Sequence, residues 1–195
     1  ENAYGWGKIT NGQVDFSYVG YEQNGSNWWY VYGGQVCFQA TDVLPGTVGG
    51  QYGWWKVCEG KVNFDDDVCE NAYGWWKITT GKVDFQYTGL AQNACGWWMI
   101  QNGHVNFGSN GLVDNGNGWW LVRNGGVDFN YNGLVDNGNG WWLIRNGYVD
   151  FNYNGLVDNG NGWWLVKNGC VDFSYQGYVQ NECGVWWVSN GQVQF

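Results

Sequence analysis

The chain sets short apolar runs between glycine- and asparagine-rich stretches, and the alternation repeats. The stretch "GWWLVRNGGVDFNYNGLV" beginning at Gly118 holds two Trp, a free position, a β-branched residue, Asn-Gly, then Val, Asp and Phe. With the first Trp as position 0, the position-0 residues are Trp6, Trp28, Trp54, Trp75, Trp97, Trp119, Trp141, Trp163 and Val185. The steps between them are 22, 26, 21 and then five of 22. Gly stands at position 6, Val at position 8 and Phe at position 10 in every unit, and position 3 is always Ile or Val. A fixed period of this length marks a repeat architecture. The expectation is one repeat domain over residues 1–195, an all-β solenoid of nine stacked hairpins.

The elements follow from the pattern. Asn-Gly at positions 5 and 6 predicts a two-residue type I′ turn, because both residues tolerate φ > 0. Strands are expected over positions 1–4 and 7–12, pairing 3 with 8, 2 with 9 and 1 with 10. One face then carries Trp120, Val122, Val127, Phe129 and Tyr131, and its constancy predicts the core. The other carries Leu121 and Asp128, and its variability predicts a wet face. A lone hairpin is marginal in water, so each unit must bury its aromatic face against the next. The simplest place for the first Trp of each pair is against the neighbouring hairpin.

Composition narrows the function. Gly is 34 of 195 residues, yet aromatics reach 20%, which opposes disorder. Only 8 residues are Lys or Arg and the net charge is -9, so nucleic acid and anionic membranes are disfavoured as partners. No apolar run is long enough for a transmembrane helix. Neither an initiator Met nor a signal peptide is present, as expected of a mature or excised chain.

Six cysteines, Cys37, Cys58, Cys69, Cys95, Cys170 and Cys183, lack C-x-x-C spacing, so a zinc ribbon is not expected. Their even number suggests disulfides in an oxidising, extracellular setting, and six allow 15 connectivities. Cys37–Cys58, Cys69–Cys95 and Cys170–Cys183 are the expected pairs, each within one unit or between adjacent ones; six free thiols are the alternative in an anaerobic host. Asp65-Asp66-Asp67 reads as a solvated loop rather than a metal site. His104, the sole His, reads as an exposed substitution without an orienting partner. No catalytic residues, metal or cofactor are expected, and the chain does not read as an enzyme. The segment Ala40–Gly50 adds four residues to the period and holds the single Pro.

The unit resembles the cell-wall-binding repeats of bacterial surface proteins, a superfamily of choline-binding, glucan-binding and clostridial toxin repeats. Trp119-Trp120, Gly125, Val127 and Gly133-Leu134 carry the resemblance, and the Trp-Trp, Asn-Gly and Val-Asp-Phe version is similar to repeats on secreted clostridial proteins. It implies ligand sites between consecutive hairpins. Choline-binding repeats place Trp after the linking Gly, where this chain has Leu90, Leu112, Leu134 and Leu156, or Tyr21 and Tyr178. Losing one aromatic wall makes most junctions less suited to a quaternary ammonium.

The expected function is therefore a non-catalytic module of a secreted or surface-attached protein, binding carbohydrate or a cell-wall polymer. The candidate ligand-binding residues are Trp97, Trp119, Trp141 and Trp163, with Tyr131, Tyr153 and Tyr175 and the acceptors Asp128 and Asp150. The Asp-Asn-Gly-Asn-Gly loops at 114–118, 136–140 and 158–162 would bring polar groups beside these indoles, or serve only as tight turns. A host-protein adhesin acting through the variable positions and a ligand-free spacer are the alternatives.

Overall fold

A computed structural model describes residues 5–195. It is all-β, with no helix among the described residues and strands of two to eight residues. Contacts group the chain into two compact units, one ending at Asn106 and the other beginning at Phe107.

The second unit shows the repeat most regularly. Strands Gly133–Asp136 and Trp141–Arg145 form a hairpin with Leu134 opposite Leu143 and Val135 opposite Trp142. Its tip is closed by the Asn137 N–H donating to the Gly140 carbonyl at 3.1 Å. Trp141–Arg145 then pairs with the two-residue strand Tyr148–Val149, Ile144 opposite Val149. Between them Asn146 and Gly147 have φ of 50° and 77°, the expected type I′ turn. The unit thus has three strands rather than two.

The expected strand over positions 7–12 stops at position 8. The chain turns there in every repeat, also where position 9 is Cys37 or Asn63; where it is Asp, the Asp150 carboxylate accepts the Asn152 N–H at 3.2 Å and its carbonyl accepts the Tyr153 N–H at 3.2 Å. Such local side-chain acceptors compete with a sheet ladder. The pairing of position 1 with 10 is therefore absent from the ladder, and the chain is free to form the extra strand Gly155–Asp158.

The Trp-bearing strands are buried on both faces, which corrects the expected wet face. Leu121, Leu143 and Leu165 at position 2 are buried, and so is Lys77 in the first unit. Leu143 packs with Val166 and Val171 of the following repeat, joined by Trp141, Tyr153 and Trp164. Each repeat's position-0 and position-2 face meets the position-1 and position-3 face of the next. The Phe at position 10, expected in the core, lies at its edge: Phe38, Phe85 and Phe173 are 47%, 47% and 43% exposed. It falls beyond the short third strand, inside the turn that follows position 9.

Repeats are also tied through the constant glycine. The Leu143 N–H donates to the Gly169 carbonyl at 2.8 Å, and the Gly169 N–H to the Tyr153 carbonyl at 3.0 Å. A Cβ on Gly169 would stand 2.5 Å from the Asp150 carbonyl oxygen. Gly is required here by close approach as well as by its φ of 77°.

In the first unit the added residues lengthen one hairpin. Asp42–Val48 pairs with Gln51–Cys58 around a Gly49-Gly50 turn, with Pro45 opposite Trp54 and Thr47 opposite Tyr52. Its inner face joins a core of Tyr21, Val48, Trp55, Val57 and Val62.

All six cysteines are free thiols, so the three expected disulfides are absent. The Cys37 carbonyl runs beneath Gly60. The Cys69 thiol donates to Asp67 at 3.4 Å inside the cluster of Val43, Ile78 and Val83, whereas Cys95 lies at an exposed hairpin tip. The Cys170 sulfur lies against Gly140 of the preceding hairpin, while Cys183 lies in the turn between Asn181 and Gly184.

Candidate functional site

The aromatic side chains assemble the same three-ring group at successive junctions. Trp119 lies 4.9 Å from Trp142 and 5.8 Å from Phe151, and Trp142 lies 5.7 Å from Phe151, with interplanar angles of 60°, 80° and 68°. Trp141, Trp164 and Phe173 repeat this at 4.8, 5.7 and 5.7 Å. In the first unit Trp6, Trp29 and Phe38 do so, and Trp54, Trp76 and Phe85 again. Each group takes its first Trp from one repeat and its second Trp and Phe from the next. The strands fix this: adjacent tryptophans point to opposite faces, so one reaches forward and one back. Three steeply inclined planes make a corner, with the Phe at its rim, exposed for Phe38, Phe85 and Phe173 and partly buried for Phe151.

The first Trp is therefore a packing residue in every group, as its simplest reading predicted. Trp163 reaches Trp186 at 5.9 Å. Trp97, on the strand Gly96–Gln101, is half-buried opposite Gln92. The structure brings Trp119 and Tyr131 onto one cluster with Leu121, Ile144 and Val149, and Trp163 and Tyr175 onto one with Leu165, Val188 and Val193.

The candidate Tyr and Asp residues have partners within the fold. Tyr131, Tyr153 and Tyr175 donate their hydroxyls to the carbonyls of Leu134, Leu156 and Tyr178, each at 3.1 Å, closing the step to the next hairpin. The Arg123 and Arg145 guanidinium groups sit over the Tyr131 and Tyr153 rings at 4.3 and 4.6 Å, and the Lys167 ammonium over Tyr175 at 4.3 Å. Asp128 and Asp150 accept turn N–H groups and face Arg123 and Arg145 at 3.4 and 3.3 Å. The polar loops behave as tight turns: Asp136 accepts from the Gly138 N–H at 2.8 Å and Asn137 from the Asn139 N–H at 3.0 Å. One acceptor of each is thus engaged within its own turn.

Other polar candidates are also absorbed. Asp66 accepts the Thr80 N–H at 2.7 Å and faces Lys77; Asp67 pairs with Lys56 at 2.6 Å. No group of three metal-ligating side chains occurs among the described residues. His104 is exposed, edge-on to Trp76 at 5.7 Å.

Two open clefts lie along the regular repeats. One of about 320 Å³ is lined by Trp6, Lys8, Glu22, Asn24 and Trp29. Another of about 400 Å³ is lined by Leu165, Lys167, Tyr175 and Tyr178. The position-10 Phe as an exposed rim was missed from sequence. Its constancy was visible, but constancy alone reads as core.

The choline-binding repeat family matches residues 17–37, 86–106, 108–128, 130–150 and 152–172, five stretches of 21 that make 105 of the 195 residues. The chain belongs to this family of repeats. No curated protein sequence matches it. Among solved structures, it resembles choline binding protein F from Streptococcus pneumoniae at 20% identity and TM-score 0.37, covering 88% of this chain and 58% of that one. An alternansucrase in complex with isomaltononaose shares 14% identity at TM-score 0.33, covering 98% and 16%. The modular Cpl-1 endolysin complexed with a peptidoglycan analogue shares 16% at TM-score 0.31, covering 71% and 41%. The chain thus spans less than two thirds of each of these proteins.

Proposed function

We propose that this chain is a non-catalytic module that holds a bacterial cell-wall polymer at the cell exterior, one polymer unit to each aromatic corner. The observation that carries this is the recurrence of the Trp–Trp–Phe corner at the spacing of the repeat, with Phe38, Phe85 and Phe173 exposed at its rim and Phe151 partly buried. Repeated weak sites suit a repetitive ligand, because linked contacts raise avidity without new contacts. A sugar ring offers an apolar face to such a rim. The candidate tyrosines and aspartates then act by holding the corner's geometry, since their polar groups are already engaged.

A second reading takes the recognised group to be a quaternary ammonium carried by the polymer. It is favoured by family membership, by the steep mutual angles of three electron-rich faces and by the net charge of -9. Co-sedimentation with purified cell walls, competed by neutral wall-derived oligosaccharides or by choline chloride, separates the two. Competition by oligosaccharide alone supports the sugar reading, and competition by choline alone the second. Absence of the chain from the wall pellet overturns both.

A further inference from the structure

We infer that this chain associates head to tail with further copies of itself, the open face of its last repeat receiving the open face of another copy's first repeat. The internal junctions define what each face needs. Position 3 is buried in eight repeats, with Val166 packed on Leu143 and Val188 on Leu165 of the repeat before. In the first repeat this position is Ile9, which is 56% exposed. The last repeat leaves the opposite face open. Val185, Trp187 and Tyr178 are 62%, 42% and 71% exposed there, although Leu121, Leu143 and Leu165 at position 2 are buried. The two ends thus expose the two halves of one junction.

The backbone carries the same complementarity. At internal junctions the position-2 N–H donates to the constant Gly carbonyl of the next repeat, Leu143 to Gly169 and Leu165 to Gly191, each at 2.8 Å. Among the described residues the Trp187 N–H finds no such carbonyl, and the Gly12 carbonyl receives no backbone N–H. A Cβ on Gly191 would stand 2.7 Å from the Asp172 carbonyl oxygen, whereas one on Gly12 would meet nothing within 4 Å. The last repeat therefore keeps a donor, and the first keeps an acceptor and room for a neighbouring backbone. An open strand edge is a template for pairing with another chain.

The side chains of the two ends depart from the repeat pattern in matching places. Position 0 is Trp in every repeat but the last, which has Val185; position 1 is Trp in every repeat but the first, which has Gly7. At internal junctions these two positions meet, as Trp141 and Trp164 do at 4.8 Å. A head-to-tail junction brings Val185 to Gly7 and loses both indoles. Neighbouring positions restore the volume: Trp187 stands where the regular repeats carry Leu, and Tyr178 opposite it stands where they carry Leu134 and Leu156, the two rings 5.0 Å apart. A stack that ends in water closes with a polar capping face. This end gains aromatic area instead, as an interaction surface does. Packing the last face on another last face would leave both Trp187 N–H groups without the Gly12 acceptor, so the occupant is the first repeat. Association would multiply the corners open to one polymer chain and raise avidity.

Sedimentation velocity of the full chain, with reductant present to keep exposed thiols from linking copies, tests this. A heterologous contact repeats until it closes on itself, so the average mass is expected to rise with concentration. Ile9→Asp and Val185→Asp, both at exposed positions, are each expected to return the chain to a monomer with unchanged near-ultraviolet circular dichroism. Tyr178→Asp is a second variant of the last face, with the same expected result. Tyr52→Asp, 72% exposed and outside both faces, should associate like the unsubstituted chain. Mixing Ile9→Asp with Val185→Asp should give a dimer and nothing larger, because one supplies an intact last face and the other an intact first face. A monomer at every concentration up to about 1 mM overturns the proposal. So does an Ile9→Asp chain that still associates, which would mean that last faces pair with each other, and so does a mixture that stays monomeric.

Discussion

The Trp119 indole lies 4.9 Å from the Trp142 indole of the following repeat, inclined at 60°. The two rings belong to different hairpins, so each tryptophan pair couples its own repeat to both neighbours. Replacing either by Ala is expected to cost about 3–5 kcal/mol, with a coupling in the double variant of about 0.5–1.5 kcal/mol beyond additivity. Trp119 and Trp164, which share no such contact, should be additive within about 0.5 kcal/mol. Urea unfolding of the four-member cycle checks both, and additivity of Trp119 with Trp142 would contradict the coupling.

The constant glycine offers a matched pair. Gly147 has φ of 77°, and a Cβ there would lie 2.5 Å from the Asp128 carbonyl oxygen; Gly138 has φ of 85° with nothing within 4 Å. Gly138→Ala is expected to cost about 1–2 kcal/mol for the left-handed conformation alone. Gly147→Ala must add backbone displacement and is expected to cost clearly more. Equal melting temperatures for the two variants would show that the close approach carries no energy.

The thiols should rank by exposure and pKa. Cys95 and Cys183 are exposed. Burial, with Asp67 beside it, pushes the Cys69 thiol up to about 12, and burial raises Cys170 as well. Since the thiolate is the nucleophile, iodoacetamide at pH 8 should modify Cys95 and Cys183 first and Cys69 last. Peptide mass mapping reads the order. A disulfide found in the untreated chain would contradict the free-thiol assignment.

Acid should weaken one side chain's contribution in a defined window. Burial pushes Asp67 up, but the Lys56 ammonium at 2.6 Å and the Val68 N–H outweigh it, so its pKa lies below 3.8. A depressed carboxylate contributes stability that is present above its unfolded pKa and is lost as pH falls through the folded value. Asp67→Asn should therefore lower the melting temperature at pH 6, and the gap to the unsubstituted chain should narrow below about pH 3.8. A gap independent of pH would place the effect elsewhere.

The sequence announced the turns more clearly than the faces. Asn146-Gly147 could be read at once, because few residue pairs accept φ > 0 twice. Asp150 is less legible because an acidic residue beside a strand looks solvated, while its carboxylate accepts the Asn152 N–H in the turn that follows the strand. Leu143 was misread because Lys and Leu share its position among the repeats. That mixture looks like surface, yet the Lys77 stem is buried as well. The corner was half legible. The paired tryptophans were plain, but a two-strand unit gave no means of seeing that Phe151 closes the junction from the following repeat.

The most direct test of the account is wall-polymer affinity as corners are removed one at a time. Phe151→Leu and Phe173→Leu keep apolar volume but delete the aromatic face, so stability measured by melting serves as the control. The account predicts a several-fold loss of affinity for each change and a roughly multiplicative loss for both, with little change in melting temperature. Undiminished binding by the double variant would contradict the claim that the corners hold the polymer.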